Sequence, residues 1–157
     1  MSSFAPAALK IAATGLRLGV VAARYNPALA DTLLARTLAG LRAAGVSEKN
    51  LAVVRVPGSH EVPWAADRLA RRKGVDCVIA LGVLVGGDTN HHELVGTSVS
   101  HALQRVALGA GVPVINGVIV ADNLAQARAR CAGRLDRGAE FAVAALEMAA
   151  LKRRLSR

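Results

Sequence analysis

The sequence predicts a single α/β domain, a three-layer α/β/α sandwich around a central four-stranded, mainly parallel sheet. Three observations predict it. Short apolar runs alternate with segments of helical spacing along the chain, the pattern of repeated strand–helix units. Residues 75–81 are nearly continuous Val, Ile, Cys, Ala and Leu, as expected of a strand covered on both faces. The chain has 157 residues, which suits one domain that buries roughly 68–70% of its unfolded surface without metals or disulfides.

The elements follow in order. Residues 1–14 are mostly small, apolar or hydroxylated, with Pro6 among them, and read as an N-terminal arm or added edge strand; residues 15–157 form the domain. The run at 17–23 is a first strand, stopped by the turn residues Arg24, Tyr25, Asn26 and Pro27. Leu29, Leu33, Leu34, Leu38 and Leu41 recur at helical spacing, and Gly45 suits the position just past the helix end. Residues 51–56 are the second strand, ended by Pro57 and Gly58. A helix over 62–72 follows, with Pro63 in its first turn, where a missing N–H costs little, and Gly74 as its stop. After the third strand at 75–81, residues 82–90 read as a glycine-rich polar loop, and helical spacing resumes over 93–108. Residues 112–120 are the fourth strand, and a short helix covers 124–132. The last helix spans 137–155, with Phe141, Ala145, Met148 and Leu151 on its broad apolar face. Lysine and arginine near its C-terminus suit the helix dipole. No internal repeat or low-complexity segment interrupts this order.

Apolar residues make up 53% of the chain and aromatic residues only 3%, so the core is built mainly of Ala, Val and Leu. The net charge is +9, but the arginines are scattered and only the tail Lys152, Arg153, Arg154 and Arg157 is dense. Scarce aromatic residues beside basic ones argue against a specific nucleic-acid module; non-specific attraction to polyanions is the expected consequence. No run approaches the roughly 20 apolar residues of a membrane span, and no secretory leader pattern opens the chain. The expected location is the cytoplasm. Cys77 and Cys131 show neither CxxC nor zinc-ligand spacing, and Cys77 reads as a small buried hydrophobe.

In a parallel sheet, ligands bind beyond the carboxyl ends of the strands, which selects four connections: 24–27, 57–61, 82–92 and 120–123. Gly86 and Gly87 precede a helix start, where free N–H groups can cradle a phosphate or carboxylate; two turn glycines and a helix cap are the plainer alternative. Neither GxxxxGK[ST] nor GxGxxG is present, so an ATPase loop and a dinucleotide fold are unsupported. His91 and His92 stand at the loop's mouth, where one of them can move protons near neutral pH. As neighbours they point apart, with no evident third ligand nearby in sequence, so no metal site is expected. His101, mid-helix, reads as a surface or packed residue. Glu61 can cap its helix or accept hydroxyl hydrogen bonds from a ligand. Tyr25, the sole tyrosine, can stack on a planar heterocycle. Arg130 and Arg137 flank the last turn, where an arginine fork can grip phosphate.

These loops in this order resemble the lumazine synthase family. The resemblance rests on Gly15-Leu16-Arg17-Leu18-Gly19-Val20-Val21 leading into Arg24-Tyr25-Asn26, then Val56-Pro57-Gly58-Ser59-His60-Glu61-Val62-Pro63 and Gly87-Asp88-Thr89-Asn90-His91. Gly111-Val112-Pro113-Val114-Ile115, Gly138-Ala139-Glu140 and Ala145-Leu146-Glu147-Met148 complete it. It implies a flavodoxin-like sandwich and the condensation of 5-amino-6-ribitylaminouracil with 3,4-dihydroxy-2-butanone 4-phosphate to 6,7-dimethyl-8-ribityllumazine, releasing phosphate and water. It implies small-molecule substrates only, with no metal and no organic cofactor. By the same resemblance His91 is the proton-transfer residue and Arg130 the catalytic phosphate-binding arginine, contributed by a neighbouring subunit, with Arg137 in place of a family lysine nearby. Tyr25 stacks on the pyrimidine; Asn26 and Glu61 orient the ribityl and ring region. Ser59, His60, Val83, Val85 and Asn116 line the site, and Gly87, Asp88 and Thr89 meet the phosphate.

The family assembles as pentamers, some of which pair or close into 60-subunit shells, so a homo-oligomer of at least five chains is expected. The short turn over 132–137 favours the 60-mer. The chain departs from the family pattern at several positions. The family usually has phenylalanine at His60 and Asn116, an aromatic residue at His92, and arginine at Gly86. Asn90 replaces a commoner proline or threonine. A non-catalytic or altered-ligand shell-forming relative, binding a flavin- or pterin-like heterocycle, is the alternative reading.

Overall fold

The computed structural model describes residues 11–156, and the expected N-terminal arm lies mostly outside them. Ile11 and Ala13 pack against the core, and no strand forms between residue 11 and Arg17. Nine principal elements follow: β1 (Leu18–Ala23), α1 (Pro27–Ala43), β2 (Leu51–Val56), α2 (Val62–Ala70), β3 (Cys77–Val85), α3 (His91–Ala110), β4 (Val114–Ala121), α4 (Leu124–Cys131) and α5 (Arg137–Leu155). The sheet runs β2-β1-β3-β4 and every pairing is parallel. The four-stranded three-layer sandwich expected from the alternation is what forms.

Alternation along the strands divides the core in two. Cys77, Ile79, Leu81 and Val83 of β3 point to the layer of α1, α4 and α5, meeting Leu33, Leu41, Ala127, Cys131, Ala145 and Ala149. Val78 and Ala80 point to the other layer, against Val62, Ala65 and Leu69 of α2 and Val95, Val99 and Leu103 of α3. The central strands are covered twice, so their sequences carry no polar alternation.

Three expectations need correction. Residues 82–85 are strand, not loop: Gly82 pairs with Val118 and Val85 with Ala121. Val83, Leu84 and Val85 favour a pleated strand, and Gly82 serves close packing, since a Cβ there would lie 2.4 Å from Ser59 Oγ. The buried face of α5 is Gly138, Ala142, Ala145, Leu146 and Ala149 rather than the stripe through Phe141 and Met148. Small residues let α1 and α5 approach closely, as a Cβ on Gly40 would come within 2.8 Å of the Ala142 Cβ. Met148 is left at the surface. Finally, α2 ends at Ala70, because the turn that reaches Gly74 begins at Arg71.

The largest polar group taken into the core is Asp76, just before β3. Arg153 of α5 holds it in a two-pronged pair, Nε to Oδ1 at 2.8 Å and Nη2 to Oδ2 at 2.6 Å. The Arg17 backbone N–H donates to the same carboxylate at 2.8 Å, and Arg153 Nη2 also donates to the Gly15 carbonyl. One carboxylate thus joins the chain entering β1, the start of β3 and the end of α5.

Candidate active site

The carboxyl ends of β1 and β3 and the start of α3 enclose an open cavity of about 560 Å³. Its wall is made by Tyr25, Asn26, Ser59, His60, Glu61, Val83, Val85, Gly87, Thr89 and His91, all named from the sequence. Gly58, Leu84, His92 and Val95 line it as well. Of these, Gly58 and His92 stand in connections the sequence selects, and Val95 falls four residues after His91 and so shares its helical face.

Each polar wall residue is set by its element. Asn26 adopts a left-handed conformation (φ 54°) where β1 turns into α1, a conformation Asn tolerates better than most residues. Its backbone carbonyl accepts the Leu29 and Ala30 N–H groups, and its side-chain Nδ2 donates to the Val83 carbonyl at 2.9 Å. That bond ties the first loop to the end of β3 and orients the amide. Tyr25, 73% exposed, presents an uncovered ring to the cavity mouth. Glu61 gives α2 no side-chain cap; instead it closes the 3-10 turn Ser59–Glu61 before that helix, with Oε2 accepting the Gly58 N–H at 2.8 Å. Ser59 is buried, and its Oγ has no hydrogen-bond partner among the described residues.

His91 opens α3, a helix of 20 residues whose preceding residue, Asn90, gives no side-chain cap. His91 and His92 of the first turn line the cavity with Gly87 and Thr89, so the positive end of a long helix dipole lies at its wall. A planar ring at one end, an uncapped helix start at the other and an imidazole beside it suit an anionic substrate held against a heterocycle. Asp88 is exposed in the same loop but is not part of the cavity wall.

Asn116, Arg130 and Arg137 do not join this cavity within one chain. Asn116 lines a separate cavity of about 520 Å³ on the β4 side, with His101, Glu93 and Val120. Its Oδ1 accepts the Val118 N–H. Arg130 Nη1 donates to the Gln126 carbonyl at 3.0 Å, and Arg137 pairs with Glu140. Thiol chemistry has no place here. Burial pushes the Cys77 thiol up to about 12 and raises that of Cys131 as well, so neither offers a reactive thiolate. No described helix is long and apolar enough to cross a membrane.

The sequence model of 6,7-dimethyl-8-ribityllumazine synthase matches residues 15–153. Curated relatives carrying that name agree over nearly their whole length. The protein of Aquifex aeolicus is 43% identical over 143 residues, covering 90% of this chain and 93% of its own. That of Pyrococcus furiosus is 42% identical over 141 residues, covering 90% and 88%. A third, from Stenotrophomonas maltophilia, is 40% identical over 140 residues, covering 88% and 90%.

Proposed function

The chain belongs to the 6,7-dimethyl-8-ribityllumazine synthase family, and from that premise we propose how its own residues divide the work. It is a lumazine synthase of riboflavin biosynthesis, a transferase that condenses 5-amino-6-ribitylaminouracil with 3,4-dihydroxy-2-butanone 4-phosphate and releases phosphate and water. The Tyr25 ring stacks on the pyrimidine. Asn26, Ser59, His60 and Glu61 receive the ribityl chain and ring edge, between the apolar walls of Val83 and Val85. The phosphate sits at the first turn of α3, met by the Thr89 hydroxyl and by the backbone of Gly87, Asp88 and Thr89, with the Asp88 side chain outside the cavity wall.

The observation that carries this reading is the position of His91, at the uncapped start of α3 and inside the same cavity as Tyr25 and Glu61. Imine formation, phosphate elimination and ring closure each move protons, and His91 moves them; positioned acid–base catalysis contributes about 10²–10⁴-fold. Holding both substrates in one cavity supplies much of the rest.

Arg130, Arg137 and Asn116 reach the site from a neighbouring copy, since all three lie away from the cavity within their own chain. A site shared in this way requires a homo-oligomer; the family resemblance makes it a pentamer at least, and the short turn between α4 and α5 favours the 60-mer. Mixing both substrates and following lumazine absorbance with phosphate release tests the activity. His91→Ala lowers kcat by about 10²-fold or more while changing KM little; an unchanged kcat removes His91 from proton transfer. Arg130→Ala raises KM for the butanone phosphate, and an unchanged dependence on that substrate removes the arginine from the site. Sedimentation reads the assembly, and a single-chain species that still turns over would exclude a shared site.

A further inference from the structure

We infer a divalent-metal site, separate from the residues assigned to the condensation, formed by His92 and Glu93 in the first turn of α3 and Asp122 at the end of β4. A ring nitrogen of His92 and one carboxylate oxygen each from Glu93 and Asp122 all lie within 4.8 Å of one another. From the sequence the only pair weighed was His91 and His92, with no third ligand nearby; the parallel pairing of β3 with β4 supplies a different set, since Gly86 N–H donates to the Ala121 carbonyl at 2.7 Å and brings Asp122 beside His92 and Glu93 at the α3 start.

Three further observations point to a cation. First, His92 Nδ1 is shut off from solvent and makes no hydrogen bond among the described residues, so the ring carries a polar atom that nothing in the fold satisfies. Second, neither Glu93 nor Asp122 forms an ion pair with a lysine or arginine among the described residues, although the chain carries 20 such cations. Both carboxylates are exposed and open to a ligand from solvent. Third, the Asp122 carboxylate is already oriented: Gln126 Nε2 donates to Oδ2 at 3.0 Å, the kind of outer bond that fixes a ligating carboxylate while leaving its other oxygen open.

Gly86 is the clearance for this arrangement. A Cβ there would lie 2.3 Å from the Asp122 carbonyl oxygen and 3.1 Å from His92 Nε2, so any side chain would push the two apart. His92 and Gly86 are also two of the positions at which the chain departs from its family's pattern. One imidazole and two carboxylates suit a borderline divalent ion such as Zn(II), Mn(II) or Co(II). Ligand atoms sharing such an ion sit about 3–3.5 Å apart at bond lengths of about 2.0–2.2 Å, so the three side chains close by roughly an ångström around it. The bound ion would fasten the α3 start to the β4–α4 connection.

The test uses the untagged, assembled protein, stripped with a chelator and titrated calorimetrically with Zn(II) alone. The expected result is saturable binding near one equivalent per chain, with a rise in Tm on loading. His92→Ala and Asp122→Asn each weaken binding at least about tenfold and abolish the rise in Tm, whereas His101→Ala, farther along α3, changes neither. Co(II) in place of Zn(II) gives a visible ligand-field spectrum that His92→Ala alters. Absence of saturable binding by the wild-type protein overturns the proposal. Unchanged affinity in both His92→Ala and Asp122→Asn overturns it equally, as does loss of binding in His101→Ala.

Discussion

Ser59 Oγ is enclosed on the cavity wall beside Gly82 and has no hydrogen-bond partner among the described residues. A buried hydroxyl without a partner costs about 1–3 kcal/mol, and removing it relieves that cost. Ser59→Ala is therefore expected to leave the unfolding free energy unchanged or raised by up to about 1 kcal/mol, while KM for the ribityl substrate rises several-fold. Thermal unfolding and steady-state kinetics on one preparation check both halves. A variant that unfolds more easily, with KM unchanged, would mean that the hydroxyl has a structural partner and no ligand. The sequence placed Ser59 at a strand end among polar neighbours, which was enough to nominate it. Its burial depends on the Gly82 backbone pressing against it from another strand, and no local pattern announces a contact across more than twenty residues.

The α4–α5 corner shows how one long-range cap holds an element that carries two of the proposed phosphate ligands. Arg36 of α1 donates Nη2 to the Ala132 carbonyl and Nη1 to the Gly133 carbonyl, each at 2.8 Å, and lies 3.6 Å from Asp136. These bonds satisfy carbonyls that the end of α4 leaves without helical partners. Asp136 in turn caps α5 through the Ala139 N–H. Arg36→Ala is expected to cost about 1–3 kcal/mol, to speed amide exchange over 128–137, and to raise KM for the butanone phosphate more than it lowers kcat. Equal exchange in wild type and variant would show that the corner is held by other contacts. Helical spacing and turn residues sufficed to place α4, α5 and the break between them. They could not select Arg36 from the other arginines, because its role lies in a carbonyl pair almost a hundred residues away. The same limit explains the α5 face: spacing fitted two stripes, and the stripe of small residues won because α1 brings Gly40 against it. It also explains β3, where Gly82 looked like a turn and instead makes room for Ser59.

For the whole molecule, the two ends of the domain and its central strand meet at Asp76. The carboxylate is only 6% exposed at its side chain, while that of Arg153 is 41% exposed. Burial works to raise the Asp76 pKa, but the Arg153 hydrogen bonds, the Arg17 N–H and the charges of Arg153 and Lys152 together outweigh it and hold it below the ordinary value of 3.8. A folded-state pKa lying below the unfolded one means that the folded protein binds this proton less readily. Its stabilising contribution is complete above the unfolded value of about 3.9, and it is lost as pH falls through the lower folded value. No loss from this group is expected between pH 7 and pH 5, and its contribution declines only below about pH 4. Asp76→Asn keeps the shape and removes the charge. It should destabilise by about 1–2 kcal/mol at pH 7, less than a fully buried pair because water screens the exposed guanidinium. As pH falls below about 4 the gap between the wild-type and variant curves should begin to narrow, and it should close once the pH lies below the depressed folded value and the wild-type carboxylate is protonated too. Urea unfolding at pH 7, 5, 4 and 3 reads this difference directly. Parallel curves, with the gap unchanged down to pH 3, would show that Asp76 joins the two ends through shape alone and that its charge contributes nothing.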